Sequence, residues 1–418
     1  MAAQLTLLED YKDIFKSNVN PIAAYIEPFT LVVDESQWGT PSNSGRARRT
    51  DKEKSNILRE QTTMLCDAGV IRPSTASHYS HGFVVPKPGN KWRFVVDYKN
   101  INSFTKASEK WPLPNIKEIL SRLGDKHPKY MAVMDLTSGY YQAPIHPDSI
   151  ALTAFITCWG VYEWLRLPMG LQGAPSYFQR IMSSVILLNL VAIICEVYLD
   201  DVVVHGQTEA EYLDNLKLVF DRFRKYNLSL NPSKCVFGVQ RIEYVGNVID
   251  STGLSYTRKK LDSVYNFVKP QTQKQMKQFL GLANYFRDHI RDHSSVVAPL
   301  QALIDPKYTR RVGGKPIAWN TIADTAFDSI RKAIHECPKL FFLNDTSPIS
   351  LQTDASDYGI GAYLFQTVDG KELPIAFISK SLAKSQIKWT TAQKEGYAIY
   401  YALKQWEYLL RDRLPSTD

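Results

Sequence analysis

The stretch EVYLDDVVVHG, residues 196–206, reads as a strand, a tight turn and a second strand. Val197, Tyr198 and Leu199 lead into the turn, and Val202, Val203 and Val204 lead out of it. Both arms are apolar, which suits strands buried on both faces. An Asp-Asp pair at a turn is ordinary turn chemistry when the flanks are polar. Here Asp200 and Asp201 are like charges held between buried strands. That arrangement is costly unless a cation neutralises it.

The pattern extends outward from this hairpin. Upstream, YMAVMDL (residues 130–136) is an apolar strand that ends on a third carboxylate, Asp135, and a Pro-marked helix (Pro114–Leu123) precedes it. A helix is predicted over Ser176–Leu187. Another is predicted over Glu209–Lys225, with apolar residues at Leu213, Leu216, Phe220 and Phe223. FGVQRIEYVGNVID is a further hairpin, and helices follow at Arg258–Val268 and Gln273–His289. Towards the N-terminus, a Gly39–Gly45 loop and the basic residues Arg46, Arg48 and Arg49 lead into a helix over Asp51–Ala68, which Gly69 closes. GFVVPKPGNKWRFVVDY (82–98) reads as two strands around a turn at Pro88-Gly89-Asn90, with Lys87, Lys91 and Arg93 beside it. Such a tip is either a solvated hairpin end or a cationic flap that grips phosphates.

Beyond a looser stretch at Lys307–Lys315 the pattern restarts. A helix near Asp324–Glu336 is followed by strands ISLQTD, GIGAYLFQ and PIAFISK, then by a long helix from Thr391. Thr390 and Gln393 have capping-box spacing. The inward stripe of that helix is predicted at Ile399, Leu403, Trp406 and Leu410. This places Glu395 on the same face, four residues before Ile399. A carboxylate on a buried stripe requires a partner or a metal.

The composition bounds the answer. The chain has 418 residues, a length that suggests about three folded units, or two with elaborations. Apolar residues make up 44% and charged residues 22%, which excludes a disordered tail, a collagen-like fibre or a small disulfide scaffold. The formal net charge is +8, a surplus that suits a polyanionic partner such as nucleic acid or an acidic membrane face. The longest apolar run, Val185–Cys195, is interrupted by Asn189 and is shorter than the ~20 residues a membrane helix needs. A buried helix or strand is predicted there. The N-terminus lacks the basic start and apolar core of a secretory signal. Five widely spaced cysteines contain no C-x-x-C pair, so neither a disulfide framework nor a zinc site is expected. An intracellular chain with no membrane contact follows, cytoplasmic, with virus-like particles or the nucleus as further compartments.

Three carboxylates between apolar strands suit Mg²⁺, which takes few protein carboxylates and completes its shell with water and phosphate. Two such ions roughly 4 Å apart activate an attacking hydroxyl and stabilise a leaving oxygen in phosphoryl transfer. Mn²⁺ is the other candidate.

VMDLTSGYYQAPI, LPMGLQGAPSYFQR and VYLDDVVVHG occur in this order. KPGNKWRFVVDYKNIN lies upstream, and LSLNPSKCVFG, EYVGNVI and FLGLANYFRDHI lie downstream. Together they resemble the reverse transcriptase of LTR retrotransposons, most like the gypsy class, over nearly the whole chain. The resemblance implies an α+β right-hand polymerase of fingers, palm, thumb and connection, followed by a ribonuclease H-like α/β domain. The implied divisions are 1–66 (N-terminal extension and start of the fingers), 67–250 (fingers and palm), 251–315 (thumb and connection) and 316–418 (ribonuclease H-like). It implies an RNA- and DNA-directed DNA polymerase that adds dNMPs to a primer 3′-hydroxyl. Its partners are a template with primer, dNTPs and other parts of a retrotransposon polyprotein.

Carried over to this sequence, the resemblance makes Asp135, Asp200 and Asp201 the catalytic metal ligands, with the Leu136 backbone beside them. Tyr140 becomes the aromatic gate under the sugar, where its ring leaves no room for a 2′-hydroxyl; a plain core aromatic is the alternative. Lys87 and Arg93 pair with the triphosphate, the one a point charge and the other a bidentate fork. Gly170 and the segment from Leu171 to Gln179 flank the template base and nucleotide. Tyr244, Val245 and Gly246 hold the primer end. Lys234 is either a proton donor to pyrophosphate or a solvated lysine. One departure stands out: retroviral relatives carry Gln where this chain has Met169, which removes a side-chain hydrogen bond near the nucleotide.

TDAS, GIGAYLFQ, AFISKSL and WTTAQKEGYAIYYALKQWEYLL resemble the start of the ribonuclease H domain that follows reverse transcriptase in these elements. Asp354 and Glu395 are then its first two metal ligands. The third acidic motif is only echoed by the terminal Ser416-Thr417-Asp418, so no ribonuclease H activity is expected from this chain alone. Two other readings stay open: an inactive nucleic-acid-binding relic of a truncated element, and a polymerase copying RNA into RNA, which Tyr140 disfavours.

Overall fold

The computed structural model describes residues 2–38, 45–48, 50–87, 89, 91–106, 110–305, 314–344 and 346–410. Outside them lie most of the Gly39–Gly45 loop, Arg49, two residues of the Pro88-Gly89-Asn90 turn, most of the 307–315 stretch and the terminal Ser416-Thr417-Asp418. The chain divides into two compact units, with the boundary between Val245 and Gly246.

The first unit contains two sheets. Strands β1 (Ile71–Pro73), β2 (Ser80–Lys87), β3 (Lys91–Asp97), β5 (Phe155–Thr157) and β6 (Gly160–Trp164) form one, in the order β1-β6-β5-β2-β3. Strands β4 (Tyr130–Asp135), β7 (Cys195–Tyr198), β8 (Asp201–Gly206) and β9 (Val236–Val239) form the other, in the order β7-β8-β4-β9. One continuous core serves both, with Phe94, Phe155 and Trp164 under the first sheet and Met134, Val202 and Val204 under the second. The predicted β2–β3 hairpin is present. The short β5–β6 hairpin is a strand pair that its local pattern does not announce.

The helix Lys52–Asp67 starts at Asp51, whose carboxylate accepts from the Lys54 N–H at 2.8 Å. Gly69 follows it with φ of 65°, the left-handed value a helix end requires. The helix Glu209–Lys225 has the predicted bounds and buries Leu216, Val219, Phe220 and Phe223. The apolar run Val185–Cys195 corrects the sequence reading. A π-helix (Ile181–Ile186) leads into it, and Asn189 and Ala192 take φ of 64° and 65°. The run is therefore a looped segment, neither one helix nor one strand, and Leu188 and Ile193 are exposed. No helix among the described residues is long and apolar enough to cross a membrane. All five cysteines are free.

Strand β10 (Arg241–Tyr244) closes the first unit. The second begins with β11 (Asn247–Asp250), β12 (Gly253–Tyr256) and β13 (Leu340–Phe341), an antiparallel ladder. A helical core packs Val264, Met276, Phe279, Phe286, Phe327 and Ile330 together. The helices predicted over Arg258–Val268 and Gln273–His289 end earlier, at Tyr265 and Asn284. The helix His293–Gln301, which carries Pro299, is one the local pattern hides.

The antiparallel sheet β14 (Ile349–Ala355), β15 (Gly359–Val368) and β16 (Lys371–Ser381) matches the predicted strands. Its helix, Thr391–Gln405, has the predicted capping box at Thr390 and Gln393. The predicted inward stripe does not hold. Ala398 and Ala402 are buried, whereas Ile399 is 46% and Leu403 43% exposed. Small alanines let the helix axis approach the sheet. Trp406 and Leu410 are buried as predicted, but Trp406 lies past the helix end in a non-helical conformation, so helical spacing does not connect it to Ile399. Glu395 is consequently half-buried at the edge of the packed face.

Candidate active site

The two-residue loop between β7 and β8 consists of Leu199 and Asp200, with Tyr198 opposite Asp201. On the other side of β8, Asp201 lies directly opposite Asp135 of β4. Directly opposed residues of antiparallel strands share a face, so the two carboxylates project together. Asp200 stands beside them in the loop. Leu199 has φ of 56°, a left-handed conformation that costs a side-chain-bearing residue about 1–2 kcal/mol.

Gln179, on the helix Ala174–Arg180, holds that loop. Its Oε1 accepts from the Leu199 N–H at 2.7 Å, and its Nε2 donates to the Val197 carbonyl at 3.3 Å. Gln179 is 2% exposed, and both ends of its amide are engaged by the hairpin backbone. The sequence reading makes it a template or primer contact. The structure instead places it beneath the carboxylate turn.

Three further contacts shape the site. A Cβ at Gly139 would stand 3.0 Å from the Asp200 Cβ, so glycine leaves room for that carboxylate. Gln142 donates to the Thr137 and Ser229 carbonyls at 2.9 and 2.8 Å and accepts from the Ser229 N–H at 2.7 Å. Thr137 in turn donates its hydroxyl to the Lys16 carbonyl at 2.6 Å. Under β7, Arg122 grips Glu196 with two hydrogen bonds at 2.8 and 2.7 Å, and Glu196 is 1% exposed. Gln142, Arg122 and Glu196 lie outside the predicted site. Each has a partner more than 70 residues away, Ser229 for Gln142 and the other member of the pair for Arg122 and Glu196, which no local pattern marks.

Electrostatics follow from this packing. Burial, then Asp200 and Asp135, push the Asp201 carboxyl up to about 6. Asp200 is raised by burial and by Asp135, while Lys234 opposes both shifts. The Lys234 ammonium lies 2.9 and 3.2 Å from the two oxygens of Asp135. Among the described residues, no group of three or more His, Cys, Asp or Glu side chains is arranged to hold a metal ion. Asp135 and Asp201 face each other across the two strands, and the Lys234 ammonium occupies the Asp135 side of the pair.

Leu136 is buried, next to Asp135. Tyr140 stacks on Phe178 at 5.0 Å between ring centroids and 16° between planes. Burial, then Asp200 and Tyr198, push its hydroxyl up to about 12. Gly170 has φ of 99° and is pinned by Asn102, which donates to its carbonyl and accepts from the Gln172 N–H, both at 2.8 Å. Met169 is exposed beside it. Lys87 and Arg93 are exposed and share one face of the β2–β3 hairpin, because Val85 pairs with Arg93 and Lys87 with Lys91. Tyr244 is buried and donates to the Asp201 carbonyl at 3.4 Å. Val245 and Gly246 follow with φ of 46° and 76°. In the second unit, Asp354 is exposed on β14 opposite Gly361.

Residues 85–249 match the family described as reverse transcriptase (RNA-dependent DNA polymerase). Residues 319–415 match the RNase H-like domain found in reverse transcriptase. The chain is 35% identical over 355 residues to the retrovirus-related Pol polyprotein from transposon opus of Drosophila melanogaster, covering 83% of this chain and 35% of that protein. It is 28% identical over 363 residues to the transposon Tf2-3 polyprotein of Schizosaccharomyces pombe, covering 86% of this chain and 26% of that protein. The chain therefore spans about a third or less of these relatives. It is also similar to the solved foamy viral protease-reverse transcriptase in complex with dsDNA. There the TM-score is 0.80 at 24% identity, over 97% of this chain and 82% of that one. That likeness shows a shared fold.

Two stability measurements test the site's electrostatics and support. The folded Asp201 carboxyl titrates near 6, above its ordinary 3.8. Its ionisation therefore destabilises the metal-free fold above pH 6, and protonation removes that cost as pH falls towards 4. Asp201→Asn is expected to stabilise the metal-free protein at pH 7 by about 1 kcal/mol after solvent screening, and not at pH 4. Equal gains at both pH values in thermal melts would refute the origin of the shift. Gln179→Leu leaves the Leu199 N–H without its partner, and urea titration should show a loss of about 1–3 kcal/mol.

Proposed function

We propose, from the premise that this chain is a reverse transcriptase domain followed by an RNase H-like domain of the transposon Pol type, that it copies RNA and DNA templates into DNA. The observation that carries this reading is the opposition of Asp135 and Asp201 across β4 and β8 with Asp200 beside them. The primer 3′-hydroxyl oxygen loses its proton to water and forms a bond to the α-phosphorus of a dNTP as the bond from that phosphorus to the bridging oxygen breaks, releasing pyrophosphate. Asp135, Asp200 and Asp201 would hold two Mg²⁺ ions, with the Leu136 carbonyl beside them. Bound there, the ions lower the pKa of the attacking hydroxyl and stabilise the leaving oxygen.

The protein's own residues supply the rest. The Lys234 ammonium pairs with Asp135. With that carboxylate engaged by a metal, the ammonium would be free to face the departing pyrophosphate. Lys87 and Arg93, on one face of the exposed hairpin, are placed to meet a triphosphate that crosses it. Tyr140, held against Phe178, is a rigid floor under the sugar. Its raised pKa keeps it a neutral phenol throughout the physiological range. The turn Tyr244–Gly246 is read as the primer support, since the Tyr244 hydroxyl bonds to the backbone of Asp201 itself. In the second unit, Asp354 and Glu395 are read as two carboxylates of a ribonuclease H-type metal site.

Fingers and palm are the matching reading of the first unit, and thumb, connection and the ribonuclease H-like domain that of the second. The template–primer is the polyanion that the net charge of +8 suits.

Primer extension on RNA and DNA templates with Mg²⁺ tests the assignment. Asp200→Asn should lower extension by a factor on the order of 10³ while salt-dependent template–primer binding is retained. Near-normal extension would exclude the carboxylate trio as the catalytic centre. Tyr140→Ala should erode discrimination against ribonucleotides by about 10- to 100-fold, read as the ratio of kcat/KM for dNTP and NTP. An unchanged ratio would remove the gate role.

A further inference from the structure

Lys260 occupies an unusual position for a cation. It lies in the first turn of the helix Arg258–Tyr265, where the helix dipole disfavours positive charge. Among the described residues no carboxylate forms an ion pair with it. Instead its ammonium sits 3.7 Å from the ring centroid of Tyr285 and 5.6 Å from that of Tyr256. The two rings are 5.6 Å apart and tilted by 50°. Two π faces attract a partly desolvated ammonium without neutralising it.

The cradle is itself braced. The Tyr256 hydroxyl donates to the Tyr285 carbonyl at 3.3 Å, and the Tyr256 ring packs edge-on against Phe286 at 4.7 Å. The Tyr285 ring packs edge-on against Phe286 at 5.4 Å and stays 43% exposed, with Lys260 against it.

From this seat Lys260 Nζ donates to the Gly246 carbonyl at 3.2 Å. Gly246 has φ of 76°, and a Cβ there would stand 2.5 Å from Nζ. The glycine thus serves two needs, a left-handed backbone and an open path to the ammonium. We propose that Lys260, seated on Tyr285 and Tyr256, is a positioning residue that fixes the Gly246 peptide and so the register in which the primer end is held. The inference rests on the reading of Tyr244–Gly246 as the primer support. Lys260 acts through the backbone, not as a ligand of a nucleic-acid phosphate.

The experiment measures dissociation of a fluorescently labelled DNA primer–template from the full chain at several salt concentrations, together with kcat and KM for dNTP. Lys260→Met should speed primer–template release by about tenfold, the effect of one charge-assisted hydrogen bond. It should leave KM for dNTP and the slope of log affinity against log salt unchanged. Lys260→Arg, which can stack and donate, should restore most of the retention. A salt slope reduced by about one would overturn the proposal, because that is the loss of a phosphate contact. So would a joint fall in thermal stability and kcat, which marks a general packing role. Gly246→Ala separates the two levels. If it speeds release while Lys260→Met does not, the primer-turn reading stands and the proposal falls. If neither variant changes release, both fall.

Discussion

The arrangement that everything else in the first unit serves is the confrontation of Asp135 with Asp201 across two buried strands. Like charges do not face each other in a partly buried sheet by default. The raised Asp200 and Asp201 carboxyls register the cost of keeping them there. Lys234 on Asp135 relieves part of it, but it meets only one of the three. The remaining charge is a standing attraction for cations. A fold that maximised its own stability would have replaced one of these aspartates with a neutral residue.

Holding the carboxylates in place requires that the turn between them does not relax. That is achieved with side-chain amides and not with tighter apolar packing, since packing cannot fix the direction of a peptide group. Gln179 engages the Val197 carbonyl and the Leu199 N–H, and Gln142 ties the loop after Asp135 to Ser229. Both amides are buried, where a hydrogen bond is stronger and its loss more costly. Further along β7, the bidentate Arg122–Glu196 pair anchors the strand.

The sequence announces this site unevenly, and the reason is range. The strands around Asp135, Asp200 and Asp201 are visible because continuous apolar runs and turn residues are local. The helix Glu209–Lys225 is visible for the same reason. Gln179 is visible as a member of a motif, yet its buried direction is not, because a polar residue on a helix is ordinarily read as exposed. The stripe on Thr391–Gln405 misleads in the opposite sense. Ile399 and Leu403 are the larger apolar residues, but the sheet accepts Ala398 and Ala402, whose small side chains permit close approach. Lys16, Thr137, Arg122 and Glu196 have no local signature, because each gains its role from a partner distant in sequence.

A common device links three of the strained points of the fold. Ser138, Leu199 and Val245 all have left-handed backbone angles, of 50°, 56° and 46°. None is glycine, and Val245 is β-branched, the type least suited to that region. Each lies within one residue of a group assigned to the chemistry: Gly139, Asp200 and Gly246. Beside each, a polar side chain holds a neighbouring peptide: Gln142 on the Thr137 carbonyl, Gln179 on the Leu199 N–H, and Lys260 on the Gly246 carbonyl. Residues in this conformation persist only where the surroundings over-determine them. Local strain and the polar side-chain contact that restrains it are therefore two halves of one solution. At these three points the backbone that leaves its regular path is held there by a side chain from another turn or element.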